Sequence, residues 1–146
     1  MRRGNELWQY ATARFTAHGG ASYGGEEYDS GLYDRLVRLV QRLDGFVSLD
    51  AGASVGTMTT RPLIFKGNRL ILNIASKGMT RVAILDASGK PLNGFTLADC
   101  NGIQADSTGY RVAWRSRKDL GHLAGRPIRL QFQMRDAKLY SLQFLK

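Results

Sequence analysis

Hydrophobic and polar side chains alternate along most of this chain. In 127–135 the apolar residues Ile128, Leu130, Phe132 and Met134 are separated by arginine and glutamine. Successive side chains of a strand point to opposite faces of a sheet, so this alternation predicts a strand with one apolar and one polar face. The same pattern predicts strands at 6–16, 69–75, 79–85, 110–115 and 138–144, and shorter strands at 46–50 and 58–65.

Glycine-containing turns separate these segments. Glycine accounts for 17 of the 146 residues, roughly twice its usual share of about 7%. Gly67-Asn68, Lys77-Gly78 and Ser88-Gly89 are predicted turns, and the glycine-rich stretch 17–31 is predicted to be a long flexible loop. Short strands at this spacing predict an all-β fold, namely an antiparallel β-sandwich of jelly-roll type whose sheets each have one wet face.

The segment 35–43 fits two structures. Its apolar residues Leu36, Leu39, Val40 and Leu43 lie on one helical face, with arginines and Gln41 opposite. This period alone favours a helix. A strand is the competing prediction, because the segment lies among strands.

Length and charge set limits on the class of protein. The chain has 146 residues, 43% of them hydrophobic, which suits one domain with a hydrophobic core. Its net charge of +9 attracts polyanions in general, including nucleic acid, acidic polysaccharide and anionic membranes. The lysines and arginines are scattered and form no known nucleic-acid module, so nucleic acid is not the expected partner.

Targeting segments and disulfides give little further information. No stretch has the length of a membrane span, and no apolar signal core follows Met1-Arg2-Arg3. We therefore expect no membrane association, and we expect that the chain was excised from a longer protein, which is compatible with a secreted parent. Cys100 is the only cysteine, which excludes an intramolecular disulfide.

Catalytic and metal-binding motifs are weak. A glycosidase needs two carboxylates flanking one bond, and most aspartates here lie at strand ends, where they form turns. Glu26, Glu27 and Asp29 in the predicted loop are the first carboxylates to test, but no catalytic residue is assigned. His18, His122 and Cys100 do not have the spacing of metal ligands. No cofactor is expected, although a structural calcium ion is compatible with a sandwich.

Aromatic residues suggest binding rather than catalysis. Sugar rings pack their C–H faces on aromatic planes, and their hydroxyls need polar partners nearby. Alternation places Trp8 and Tyr10 side by side on one strand face, and it places Trp114 on a face with Val112, where a core position is the alternative interpretation. For Trp8 and Tyr10 the alternative is packing against another domain. The candidate carbohydrate-binding residues are Trp8, Tyr10, Tyr23, Tyr28, Trp114 and Arg115.

Two stretches carry a family resemblance. They are Arg42-Leu43-Asp44-Gly45-Phe46-Val47-Ser48-Leu49-Asp50-Ala51-Gly52 and the closing region with Val112-Ala113-Trp114, Leu123-Ala124-Gly125-Arg126-Pro127-Ile128 and Asp136-Ala137-Lys138-Leu139-Tyr140. Both resemble the C-terminal β-sandwich of five-bladed β-propeller glycosidases of the invertase-like and arabinanase-like group, many of them from environmental bacteria. The resemblance covers roughly 35–146.

The resemblance implies a division of the chain. It implies that 35–43 is a strand entering a sandwich domain of 35–146. Asn5-Glu6-Leu7-Trp8-Gln9-Tyr10 and His18-Gly19 resemble the end of the propeller, so 1–34 is expected to be an N-terminal strand and glycine-rich loop left from a lost propeller.

The expected function follows from this division. The propeller's catalytic carboxylates would lie upstream, so the chain is expected to be a non-catalytic, carbohydrate-associated module. It would bind a glycan weakly or brace a propeller catalytic domain, and a homo-oligomer is compatible with either role. The alternatives are a small glycoside hydrolase that uses the acidic loop, and a basic module that binds polyanions.

Overall fold

The computed structural model describes residues 1–13, 35–115 and 117–146, and its regular structure is antiparallel β-sheet. The predicted all-β class is confirmed, while the sandwich and jelly-roll arrangement stays a prediction. In the described part of the chain the only helical element is a 3₁₀ turn at Gly121–Leu123, and no helix there is long and apolar enough to cross a membrane. The strands are β1 (Arg2–Arg3), β2 (Glu6–Ala13), β3 (Arg35–Arg42), β4 (Leu49–Ala51), β5 (Gly56–Thr59), β6 (Arg69–Asp86), β7 (Asp106–Arg111) and β8 (Ile128–Leu145).

The chain divides into two units, Met1–Leu43 and Asp44–Lys146. In the first unit, β1, β2 and β3 form a three-stranded antiparallel sheet in that order. The strand predicted at 35–43 is confirmed, against its helical period. β3 pairs along its whole length with β2 and so belongs to the N-terminal unit, while the division of the chain after residue 34 stays a prediction.

The second unit is built on the pairing of β6 with β8. These two strands have 18 residues each and run antiparallel, with Arg69 opposite Leu145 at one end and Asp86 opposite Ile128 at the other. β7 lies on the other side of β6, while β4 and β5 pair with successive parts of β8. The segments 69–75 and 79–85 are therefore two halves of one strand, and so are 127–135 and 138–144.

Lys77-Gly78 forms a β-bulge rather than the predicted turn. Ser76 pairs with Ala137 and Met79 with Arg135, so two residues of β6 lie opposite Asp136 alone. Asp136 has a φ of 46°, which bends β8 at the same place. A Cβ atom on Gly78 would lie 2.4 Å from the carbonyl oxygen of Arg135, so only glycine allows the strands to approach this closely.

The core of the second unit lies on β6 and β8 and on the loops that cover them. Leu70, Leu72, Ile74, Val82 and Ile84 are completely buried. Ile71, Asn73, Ala83 and Leu85 on the opposite face of β6 are buried as well, so this strand lacks the wet face that its alternation predicts. β8 does alternate as expected between 128 and 134, with Gln131 and Gln133 half-buried.

Candidate functional site

The pairing of β2 with β3 places Trp8 and Tyr10 on one face of the N-terminal sheet. Residues directly opposite each other in an antiparallel pair share a face, and Trp8 lies opposite Val40 while Tyr10 lies opposite Arg38. We call this surface the aromatic face. Its members, read from the register, are Arg3, Glu6, Trp8, Tyr10, Thr12, Leu36, Arg38, Val40 and Arg42.

Three polar contacts fix the Trp8 indole. Its Nε1 donates a hydrogen bond of 2.7 Å to Oε2 of Glu6. The guanidinium carbon of Arg38 lies 4.2 Å from the centroid of the ring, and that of Arg3 lies 5.7 Å from it. Cations at these distances are attracted by the π-electron density of the ring. Trp8 is half-buried as a result, and its orientation is set by its neighbours.

Tyr10 presents its ring to solvent. Its side chain is 55% exposed, although aromatic side chains usually bury much of their surface. An i, i+2 pair on a strand is separated by about 7 Å, so Tyr10 is next to Trp8 on the face, with Arg38 across from it. An exposed aromatic ring beside a guanidinium can stack on a flat, partly apolar ligand and donate hydrogen bonds to its oxygens.

The other face of this sheet has a different character. It carries Leu7, Ala11, Val37 and Leu39 together with Gln9 and Gln41, whose side chains lie 3.5 Å apart at Nε2 and Oε1. Leu39 is 53% exposed. Arg2 and Arg35 lie on this face as well, and both faces expose apolar side chains, since Leu36 on the aromatic face is 77% exposed. Leu39 and its apolar neighbours suit packing against another protein surface.

Trp114 is a core residue and not part of a binding surface. Its side chain is completely buried, its Nε1 donates to the carbonyl oxygen of Val82 at 2.7 Å, and its ring meets Phe95 edge to face at 5.4 Å. The alternative interpretation from the shared face with Val112 is the correct one. A ring with no contact to solvent cannot stack on a glycan.

Arg115 lies at the surface of the second unit. Its guanidinium is 77% exposed and forms an ion pair of 3.0 Å with Asp99. Its φ of 51° is unusual for a residue with a side chain, and two hydrogen bonds from its backbone N–H, to the backbone oxygen of Asp99 and to Oδ1 of Asn101, hold this conformation. These contacts explain the conformation of Arg115 as that of a turn residue.

The remaining candidates are not placed. Tyr23, Tyr28, Glu26, Glu27 and Asp29 all lie outside the described residues. Within the described ranges, no group of three or more histidine, cysteine, aspartate or glutamate side chains could hold a metal ion.

Three aspartates in the second unit have lowered pKa values. The hydroxyl of Thr96 lowers the pKa of Asp99, the hydroxyl of Ser88 lowers that of Asp86, and a hydrogen bond from Lys138 lowers that of Asp50. A glycosidase needs a carboxyl whose pKa is raised so that it can act as a general acid. None of these three aspartates suits that role.

Two grooves in the second unit are lined by such aspartates. One, of about 410 Å³, has an apolar floor that includes Leu92 and Leu123, with Asp86, Ser88 and Arg126 in its lining. The other, of about 360 Å³, lies at the bulge and is lined by Asp50, Asp136, Lys77 and Lys138 among others. Asp50 is ion-paired with Lys138. The charge of this carboxylate in the second groove is therefore neutralised by a lysine, which does not suit a catalytic carboxylate of a glycosidase.

The contribution of β3 to the aromatic face was not predicted from the sequence. Arg38 follows the alternation of 35–43 and lies across from Tyr10. Arg38 could have been found from the strand interpretation of that segment, because a strand places Leu36, Arg38, Val40 and Arg42 on one face. No protein-family model, no curated protein and no solved structure matches the chain.

Proposed function

We propose that this chain is a carbohydrate-binding module and that the aromatic face of its N-terminal sheet is the glycan-binding surface. The observation that carries the proposal is the exposed ring of Tyr10 next to the fixed indole of Trp8. Arg38, which lies opposite Tyr10 on β3, places its guanidinium on the same face. The ring offers a plane for the C–H face of a sugar, and the guanidinium offers donors for its oxygens.

Weak binding is expected from this arrangement. The face belongs to a small three-stranded sheet, and arginine contacts already cover part of the Trp8 ring. A ligand would gain one open stacking plane and a few hydrogen bonds.

A supporting role for a catalytic domain is the second form of the proposal. It is favoured by the face of the same sheet opposite to Tyr10, where Leu39 is 53% exposed. This face is the surface on which a propeller domain would rest, and it leaves the aromatic face free. Both roles can therefore belong to the same sheet.

Affinity electrophoresis and calorimetry with a panel of soluble polysaccharides test the glycan proposal. The full chain is compared with Tyr10→Ala, and with Gln9→Ala as a matched control on the opposite face. Loss of one stacking plane, at about 1 kcal/mol, weakens binding roughly five-fold or more. Circular dichroism verifies that each variant keeps its strand content. Retention of the polysaccharide by Tyr10→Ala as strongly as by the parent, or absence of any glycan binding by the parent, overturns the proposal.

A further inference from the structure

The charges of the N-terminal sheet are strongly one-sided. Its described residues, 1–13 and 35–43, contain Arg2, Arg3, Arg35, Arg38 and Arg42, and the only carboxylate among them is that of Glu6. The carboxylate of Glu6 is already engaged, because Oε2 accepts the hydrogen bond from the Trp8 indole. The register also places Glu6 between Arg3 and Arg42 in one row across the three strands.

This imbalance coincides with the aromatic face. Arg3, Arg38 and Arg42 share the face with Tyr10, whereas Arg2 and Arg35 lie on the other one. Arg38 is exposed, and within the described part of the chain its contact is with the Trp8 ring rather than with a carboxylate. Contact with a π-system does not use the five N–H donors of a guanidinium, which form a planar fork that matches a carboxylate.

We infer that the glycan taken by this face is acidic, a polymer of uronic acid units whose ring carboxylate pairs with Arg38. This inference rests on the proposed function. A uronic acid has a C–H face for Tyr10 and a carboxylate attached to the same ring for Arg38. A neutral sugar would use the ring of Tyr10 and would offer no carboxylate to the Arg38 guanidinium.

The number of open rings separates a uronate polymer from single-stranded nucleic acid. Proteins that bind single strands stack successive bases on successive aromatic side chains. Among the described residues of this sheet one aromatic ring, that of Tyr10, is open, while Arg38 and Arg3 approach the ring of Trp8. A single open aromatic ring beside arginine side chains suits a single sugar ring that carries a carboxylate.

The test uses a pair of ligands that differ only in charge. Binding of the full chain to polygalacturonate is compared by calorimetry with binding to the same polymer after methyl esterification, at one ionic strength. Polygalacturonate is expected to bind about tenfold more tightly per site, which is the size of one exposed charge-assisted pair. Arg38→Gln should remove most of this preference, whereas Arg35→Gln, on the opposite face, should keep it. Because the Arg38 guanidinium also donates to neutral sugar oxygens, Arg38→Gln should weaken binding to the ester as well, but by less than it weakens binding to polygalacturonate.

The outcomes separate this inference from the proposed function. Equal binding to both polymers overturns the acidic ligand and leaves glycan binding intact. An unchanged preference in Arg38→Gln also overturns it. Tighter binding to a single-stranded oligothymidylate than to polygalacturonate, or no binding to any polysaccharide, overturns the inference and the proposed function together. Circular dichroism of both variants shows that the sheet is retained.

Discussion

The indole Nε1 of Trp114 donates a hydrogen bond of 2.7 Å to the carbonyl oxygen of Val82 in the middle of β6. Trp114 lies in the segment after β7 and shares one isolated bridge with Cys100 and another with Arg117. This hydrogen bond therefore ties the loops that cover the sheet to its central strand. Both residues are completely buried, so water does not compete for the bond.

Trp114→Phe should destabilise the second unit by about 3 kcal/mol, because it deprives a buried carbonyl of its partner and leaves a cavity beside Phe95. The free energy of urea unfolding, followed by circular dichroism, measures the loss. Trp8→Phe is the matched control and should change this unfolding by less than about 0.5 kcal/mol. If both variants lost the same free energy of unfolding, the result would contradict the conclusion that Trp114, and not Trp8, belongs to the core of the second unit.

Gly78→Ala should be strongly destabilising, since the added Cβ would lie 2.4 Å from the Arg135 carbonyl oxygen and 3.0 Å from the Asp136 Cβ. Backbone atoms on β8 cannot swing away as a flexible side chain would. We expect a loss of about 2 kcal/mol or more, measured by urea unfolding. Gly102→Ala is the control, because an added Cβ there meets no atom within 4 Å, and a similar loss in both variants would show that the bulge is not tightly packed.

The bulge also shows where sequence patterns stop being informative. Lys-Gly is as typical of a turn as of a bulge, and local composition does not separate the two. The difference depends on Asp136, which lies 58 positions along the chain and pairs across from it. Strand positions were predictable because alternation is local, whereas the joining of 69–75 to 79–85 depends on β8.

The candidate site has the same division between local and long-range information. That Trp8 and Tyr10 share a face follows from their spacing. The position of Arg38 on the same face depends on the register of β2 against β3, which pairs Tyr10 with Arg38 although the two residues are far apart along the chain. The helical period of 35–43 conceals this partner, because tertiary pairing with β2 outweighs the preference of the segment itself.

Asp99 should make stability depend on pH in the acid range. Its Oδ2 accepts hydrogen bonds from the hydroxyl and the backbone N–H of Thr96, at 2.7 and 3.1 Å, and these bonds lower its pKa below the ordinary value. A lowered pKa in the folded state adds stability that is fully present above the unfolded value of about 3.9, and that is lost as the pH falls through the lower folded value.

Asp99→Asn should therefore lower the urea midpoint at pH 7, and the gap to the parent protein should close as the pH falls from the unfolded pKa of about 3.9 through the lower folded value. Thr96 keeps an acceptor in this variant, so the change isolates the charge, including the ion pair with Arg115. The control is Asp44→Asn, an exposed position with a φ of 51° that asparagine tolerates. A gap that stays constant between pH 7 and pH 3 would show that the carboxylate charge adds no stability.

Cys100 should report on opening of the second unit. It is the only cysteine of the chain, it is 4% exposed, and its Sγ accepts a hydrogen bond of 3.3 Å from the Val82 N–H. Burial raises the pKa of the thiol, so little thiolate is present at pH 8. Labelling by Ellman's reagent should be on the order of a thousandfold slower than in guanidinium chloride, because the thiol reacts only after the core opens.

The same labelling experiment connects Cys100 to the bulge. When opening and closing are fast relative to labelling, the rate follows the equilibrium population of the open form. Gly78→Ala should then react faster than the parent by the factor that corresponds to its loss of stability, about thirtyfold for 2 kcal/mol, while Gly102→Ala should react at the parental rate. Rapid labelling of the folded parent, insensitive to added urea, would contradict the buried position of Cys100. A Gly78→Ala rate equal to that of the parent would instead show that the bulge opens independently of the core around Val82.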